Sequence, residues 1–176
     1  PPTTTESVSG TVGLNGWYRS EVALILTAVD DMTGVTSTEY SQDGGSSWLS
    51  YTTPVTFATD GVHTMQFRSI DGAGNIESPQ TLEVKIDTTP PELTLLLDPS
   101  TRMLTALAFD VIDPSPTVVK STNQYTGKDA AGNTTVMNTK AMTRTGFLTG
   151  AKITSIQYND AAPTAPPDNV VAYGWK

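Results

Sequence analysis

The chain has 176 residues, of which 37% are hydrophobic and 16% charged, with a formal net charge of −8 and no cysteine. That length suits two domains of roughly 85–90 residues better than one. The negative charge disfavours nucleic acid and anionic membranes as partners, the missing cysteines exclude disulfides and Cys-ligated zinc, and no apolar run is long enough to cross a bilayer.

Alternating hydrophobicity predicts strands throughout the first half. Pro1–Thr5 is typical of a linker left from a longer chain, and an opening strand is expected near 8–12. Further strands are expected at 21–30, 35–41, 48–51, 55–57, 63–71 and 82–86. About seven strands with a turn every ten or so residues are typical of a Greek-key sandwich.

The segment Asp87-Thr88-Thr89-Pro90-Pro91 marks the clearest boundary, because two prolines remove backbone donors and fix φ. Beyond it, strands are expected at 93–97, 103–112, 117–122, 134–137, 151–158 and 170–175, with a long proline-rich loop around 161–167. The sequence therefore predicts an all-β fold of two tandem immunoglobulin-like (Greek-key) β-sandwich domains, 1–88 and 89–176, joined by a short Pro-rich linker. The second domain is expected to be immunoglobulin-like or divergent.

One motif occurs twice, as Asp71-Gly72-Ala73-Gly74-Asn75 and as Asp129-Ala130-Ala131-Gly132-Asn133. An Asp carboxylate can hold such a glycine-containing turn by accepting its N–H groups. The first copy precedes the last predicted strand of its half, whereas the second copy comes early. The second half is therefore not a simple copy of the first.

Many residues between positions 10 and 90 form one extended pattern. They are Gly16-Trp17-Tyr18, Ala28, Asp30-Asp31, Gly34-Val35, Thr38-Glu39-Tyr40-Ser41, Asp43-Gly44-Gly45, Trp48, Tyr51, Asp60-Gly61, His63-Thr64, Phe67-Arg68-Ser69, the first Asp-to-Asn motif, Glu77 and Lys85-Ile86-Asp87. In these residues the chain resembles a bacterial extracellular immunoglobulin-like repeat, which occurs in large surface proteins and in multidomain secreted glycoside hydrolases.

The resemblance implies a non-catalytic role outside the cell, secreted or attached to the cell surface. The chain would act as a spacer, presentation or adhesion module beside the neighbouring domains of a longer chain. A glycan or a host or cell-surface protein remains open as a partner, whereas nucleic acid and membrane insertion are not expected.

Four aromatic residues could form a platform for stacking sugar rings: Trp17, Tyr18, Trp48 and Tyr51. This leaves a second function open, that of a carbohydrate-binding accessory module of a secreted polysaccharide-degrading enzyme. Each of the four has a competing place in a thin core, because aromatics supply much of the buried area in small sandwiches.

Four aspartates lie at predicted strand ends, where a hard cation would find oxygen ligands: Asp30, Asp31, Asp71 and Asp87. No dense Asp-x-Asp-x-Asp spacing accompanies them. No cofactor is required by the sequence, and calcium stays open as one.

No catalytic residue is predicted, and the chain is not expected to be an enzyme. His63 falls in mid-strand beside Met65 and Phe67, which favours a core or boundary histidine over a general base.

The pattern Ser41-x-Asp43-x-Gly45-x-x-Trp48 matches the Asp-box, but a single copy favours a local structural role. An isopeptide bond formed by Lys85 is not favoured, because it requires a lysine buried beside an acid and Lys85 is expected to face outward.

Overall fold

Strands make up the regular structure of the part of the chain that the structure describes. The computed structural model describes residues 1–98, 100–101 and 103–139, and none of these lies in a helix. Within them, no helical segment has the length and hydrophobicity that membrane crossing requires. The predicted all-β class is confirmed, while the strands expected at 151–158 and 170–175, the loop at 161–167 and Trp175 lie outside the described residues.

The described residues divide into two units. The first contains Pro1–Thr89 and Ala130–Gly132, and the second contains Pro90–Asp129 and residues from 133 onward. Strands of the first are β1 (Thr3–Ser9), β2 (Trp17–Tyr18), β3 (Val22–Val29), β4 (Val35–Ser41), β5 (Leu49–Ser50), β6 (Val55–Phe57), β7 (Gly61–Asp71) and β8 (Gln80–Ile86). Those of the second are β9 (Glu92–Leu97), β10 (Leu104–Phe109), β11 (Thr117–Ser121), β12 (Gln124–Lys128) and β13 (Thr134–Asn138).

The first unit consists of two sheets. One has the order β1-β3-β6, and the other has the order β2-β8-β7-β4-β5. Each neighbouring pair is antiparallel except β2 and β8, which run parallel with Trp17 opposite Lys85 and Tyr18 opposite Ile86. Strand β1, the first of the unit, lies in the three-stranded sheet, whereas β8, the last, lies in the five-stranded sheet. After β1, the chain crosses to the five-stranded sheet through the short strand β2.

Side chains from both sheets meet in one buried cluster, which gives the first unit a two-layer, sandwich-like core. Its members are Val22, Leu24, Leu26, Phe57, Met65, Phe67, Val84 and Ile86. Each buried side chain of this size contributes about 1.5–3 kcal/mol of transfer free energy. The alternation expected at 21–30 and 82–86 is confirmed, because Val22, Leu24, Val84 and Ile86 are at most 2% exposed.

The linker expected at Pro1–Thr5 is wrong. Residues from Thr3 onward belong to β1, which pairs with β3 from Thr3 opposite Val29 to Ser9 opposite Ala23. Pro2 and Thr4 are buried while Thr3 and Thr5 are exposed, so these residues alternate between the core and the solvent as strand residues do. The strand expected near 8–12 begins five residues earlier.

The second unit contains a β10-β9 hairpin and a β11-β12-β13 sheet. Its core gathers Leu93, Leu95, Tyr125 and Met137, and the Tyr125 hydroxyl donates to the Leu104 carbonyl at 2.8 Å. The sequence did not predict β12, which contains Gly127. A Cβ at that position would lie 2.9 Å from Leu93 Cδ2, so the missing side chain permits close packing of β9.

Candidate functional site

Two of the four predicted metal-ligating aspartates, Asp30 and Asp71, each anchor a turn at a strand end. Asp30 follows β3, and its Oδ1 accepts the N–H groups of Met32, Thr33 and Gly34 at 3.1, 2.8 and 3.1 Å. These donors favour the charged carboxylate, and the pKa of Asp30 lies below its ordinary value chiefly because of the Thr33 N–H.

Asp71, the last residue of β7, anchors the motif 71–75 in the same way. Its Oδ1 accepts the N–H groups of Ala73 and Asn75 at 2.9 and 2.8 Å. Its Oδ2 accepts the Asn75 side-chain amide at 2.7 Å, and this contact is the main reason that the pKa of Asp71 is lowered. Gly74 has φ +84°, a conformation that glycine adopts without strain.

The carboxylates of Asp30 and Asp71 approach a common point. The amino nitrogen of Pro1 lies 4.0 Å from Asp30 Oδ2 and 3.8 Å from Asp71 Oδ2. Two of the carboxylates that the sequence predicted as metal ligands therefore lie close together in the structure.

The other two predicted ligands occupy different surroundings. Asp31 is exposed beside the Asp30 turn. Asp87 is 1% exposed directly after β8, where its N–H donates to the Tyr18 carbonyl at 2.9 Å and its Oδ1 accepts the Thr89 N–H at 3.2 Å.

A second pair of carboxylates lies in the second unit. Asp110 and Asp129 are 6% and 5% exposed, and their carboxylate oxygens lie within 4.8 Å of each other. Asp110 Oδ1 accepts the Ile112 and Asp113 N–H groups at 2.8 Å, and Asp129 Oδ1 accepts the Asn133 N–H at 2.8 Å. Sequence reasoning found Asp129 through the repeated motif but missed Asp110.

The four predicted sugar-stacking aromatics are not brought together. Trp17 and Tyr18 form β2 at one edge of the five-stranded sheet, while Trp48 directly precedes β5 at the opposite edge. Tyr18 and Tyr51 pack against the core, and the Tyr51 hydroxyl accepts the Leu26 N–H at 3.1 Å. One face of the Trp48 ring is covered by the Arg68 guanidinium, 3.8 Å from the ring centre.

The Asp-box pattern forms a local turn. Asp43 Oδ1 accepts the Ser47 N–H at 2.9 Å, and its Oδ2 accepts the Ser47 hydroxyl at 2.6 Å. The Ser47 hydroxyl is the largest cause of a pKa of about 2 for Asp43. Gly45 has φ +89°, which glycine adopts without strain, and the local structural role predicted for this pattern is confirmed.

His63 has a structural environment of its own. Its Nε2 lies 2.7 Å from the Thr59 carbonyl oxygen, and its ring centre lies 5.4 Å from that of Phe57. The expectation of a boundary histidine with a hydrogen-bonded polar end is confirmed. Lys85 faces outward as expected and pairs with Glu83 at 3.1 Å.

A partly buried polar network joins the two sheets of the first unit at Thr4 and Glu77. The Thr4 N–H donates to Glu77 Oε1 at 2.9 Å, and the Thr4 hydroxyl contacts both Glu77 Oε2 and, at 2.7 Å, Ser69 Oγ. Gln80 completes the network by donating to the Thr4 carbonyl and to Glu77 Oε1 at 2.9 and 2.7 Å.

Glu77 is ionised in this network. Burial raises the pKa of Glu77, but the hydrogen bonds from Thr4, Gln80 and Ser69 outweigh burial and leave the pKa below its ordinary value. The carboxylate therefore serves as the acceptor that ties β1 to the opposite sheet.

Asp60 fastens the segment after β8 to the first unit. Its Oδ1 accepts the Thr88 N–H and hydroxyl at 2.9 and 2.8 Å, and its Oδ2 accepts the Thr89 hydroxyl at 2.7 Å. Burial raises the pKa of Asp60, and these bonds lower it further than burial raises it. The sequence did not predict this role of Asp60, because its partners lie 28 and 29 positions away.

Comparison with known proteins adds no relative: no family model, curated protein or solved structure matches the chain.

Proposed function

We propose that the chain is a non-catalytic, load-bearing spacer module of a longer bacterial protein outside the cell, either secreted or attached to the cell surface. The observation that carries this proposal is that both ends of the first unit are fastened. Thr4, at the start of β1, is bound by Glu77, and residues 87–89, after β8, are bound by Tyr18 and Asp60.

Strand direction supports the same role. Strands β2 and β8 are parallel and lie near the two ends of the unit's chain path. Tension on the two ends pulls parallel strands in opposite directions along their length. Their hydrogen bonds are then loaded together rather than broken one at a time.

The resemblance of residues 10–90 to bacterial extracellular repeats supports the location and the work of spacing and presenting neighbouring domains. Adhesion to a glycan or a cell-surface protein would be an additional task of such a module. The separation of Trp17 from Trp48 favours the spacer over a carbohydrate-binding module.

The test is single-molecule pulling of the full chain from its two ends. Thr4→Val keeps the shape of the side chain but removes its hydroxyl contacts to Glu77 and Ser69, and we expect a lower unfolding force for the first unit. The matched control is Thr5→Val, because Thr5 lies next to it on β1 and its hydroxyl makes one exposed bond to the Thr27 carbonyl at 3.2 Å.

An unfolding force that is insensitive to Thr4→Val, or equally lowered by Thr5→Val, contradicts the load-bearing role. Quenching of tryptophan fluorescence by oligosaccharides would support the carbohydrate-binding function instead.

A further inference from the structure

The two units repeat one arrangement of two carboxylates. In the first, Thr3 of β1 pairs with Val29 of β3, and Asp30 follows. In the second, Glu92 of β9 pairs with Phe109 of β10, and Asp110 follows. Each unit thus places an aspartate directly after the second strand of its opening antiparallel pair.

The second member of each carboxylate pair begins the repeated motif. The Asp71 N–H donates to the Asn75 carbonyl at 3.1 Å, and the Asp129 N–H donates to the Asn133 carbonyl at 3.2 Å. In both copies Oδ1 of the aspartate accepts the Asn N–H at 2.8 Å. Both copies of the motif therefore form the same two hydrogen bonds between the aspartate and the asparagine.

Within the described part of the chain, the buried Asp110 carboxylate has hydrogen-bond partners for only one of its two oxygens. Its Oδ1 is used by its own turn, whereas its Oδ2 is buried and has no hydrogen-bond partner among the described residues. No ion pair of Asp110 occurs in that part of the chain either. A buried anionic oxygen needs a compensating donor or cation, and the nearby Asp129 carboxylate increases this need.

The spacing of the two carboxylates suits one cation. Calcium binds oxygen ligands at about 2.3–2.6 Å, so two oxygens that share one ion lie at most about 5 Å apart. The Asp110 and Asp129 oxygens lie within 4.8 Å. Calcium is favoured over magnesium because calcium accepts irregular oxygen geometry, whereas magnesium requires a near-ideal octahedron at about 2.1 Å and gives up its water reluctantly.

We propose that Asp110 and Asp129 bind a calcium ion in the second unit. Asp110 Oδ2 and a carboxylate oxygen of Asp129 are ligands, and water or other oxygens complete the coordination. Both turns stay intact, because each aspartate uses Oδ1 for its own backbone N–H groups.

The test uses the full chain in EDTA and in millimolar calcium chloride, with isothermal titration calorimetry and thermal melts. The wild-type chain should bind calcium, and its thermal midpoint should rise by several degrees. Asp110→Asn keeps an oxygen for Ile112 and Asp113 but replaces the second oxygen with an NH₂ group. This variant should lose at least roughly tenfold in calcium affinity.

Behaviour in EDTA separates a lost ligand from a damaged fold. Without calcium, Asp110→Asn should be at least as stable as the wild type, because it removes one of two adjacent negative charges. Asp129→Asn provides a second variant, since its amide oxygen can still accept the Asn133 N–H. The matched control is Asp98→Asn, an exposed aspartate whose Oδ1 accepts the N–H groups of Ser100 and Thr101 at 2.7 and 3.1 Å.

The proposal is overturned if the wild-type chain does not respond to calcium, or if both Asn variants respond as the wild type does. It is also overturned if Asp98→Asn loses the response equally. An equal response to magnesium overturns the assignment of calcium.

Discussion

The Arg68 guanidinium lies 3.8 Å from the centre of the Trp48 ring and also pairs with Glu39 at 3.1 Å. Both Arg68 and Glu39 have side chains that are 22% exposed, so the ion pair is partly screened from water. Arg68, in β7, thereby links Trp48, which follows the Asp43 turn, to Glu39 in β4.

Arg68→Ala should therefore destabilise the first unit by about 1–2 kcal/mol, the sum of a cation–π contact and a partly buried ion pair. Urea unfolding followed by tryptophan fluorescence measures this loss. The control is Lys85→Ala, whose exposed pair with Glu83 should change stability by no more than about 0.5 kcal/mol. Equal losses in the two variants would show that the stacked position of Arg68 contributes nothing.

Acid should destabilise the folded chain, because the same change of pKa recurs at six carboxylates. Folding lowers the pKa of Asp30, Asp43, Asp60, Asp71, Glu77 and Asp98. Such a group stabilises the fold above its unfolded pKa, and that contribution disappears as the pH falls through the folded pKa. The thermal midpoint should thus fall as the pH drops from about 4.5 towards 2.

Asp43→Asn should remove part of this acid sensitivity, since the amide oxygen still accepts the Ser47 N–H but does not titrate. The decrease should shrink between pH 3.8 and about 2, the ordinary and folded pKa values of Asp43. Asp31→Asn, an exposed neighbour of the Asp30 turn, should follow the wild-type curve. A midpoint that is independent of pH across this range would refute the assignment of these carboxylates as turn anchors.

Gly72 is required by the close approach of two loops. A Cβ at this position would lie 2.7 Å from the backbone oxygen of Thr33, and the Gly72 N–H donates to the Gly34 carbonyl at 2.9 Å. Gly72→Ala should cost about 1–3 kcal/mol, because backbone rather than a flexible side chain must move. The exposed neighbour supplies the control, with Ala73→Ser expected within about 0.5 kcal/mol in calorimetry. A neutral Gly72→Ala would mean that the loop around Thr33 moves without cost.

Asp60→Ala should release the segment after β8 while the rest of the unit stays folded. The Thr88 amide loses its acceptor and should exchange at least roughly tenfold faster with deuterium in NMR. The Asp87 amide, bonded to the Tyr18 carbonyl at 2.9 Å, is the internal reference and should keep its protection. Equal acceleration of the two amides would instead indicate loss of global stability.

Hydrophobic periodicity predicted the strands whose one face is aliphatic, such as β3 and β8. It failed at β1, where the buried position Thr4 is polar and lies in a run of three threonines, and at β12, where Gly127 interrupts the pattern. In both cases a polar or absent side chain suits its neighbour better than a hydrophobic one. Thr4 meets a carboxylate, and Gly127 meets the packed Leu93.

The carboxylate pairs also show which residues a local sequence motif can identify and which it cannot. Asp71 and Asp129 were found because each begins a short, repeated motif. Asp110 was missed because its place beside Asp129 depends on how the β9–β10 hairpin packs against the β11-β12-β13 sheet. Packing between two sheets is not encoded in a residue spacing along the chain.

The Thr4–Glu77 network performs the task of a cross-link between sheets without a covalent bond. Its strength does not depend on a thiol–disulfide balance, since the chain contains no cysteine. Reducing agents should leave it unchanged, and a stretched or melted unit can rebuild it without an oxidant or a disulfide isomerase. Such a link would suit the proposed load-bearing spacer, because that module would refold after stretching without the help of folding enzymes.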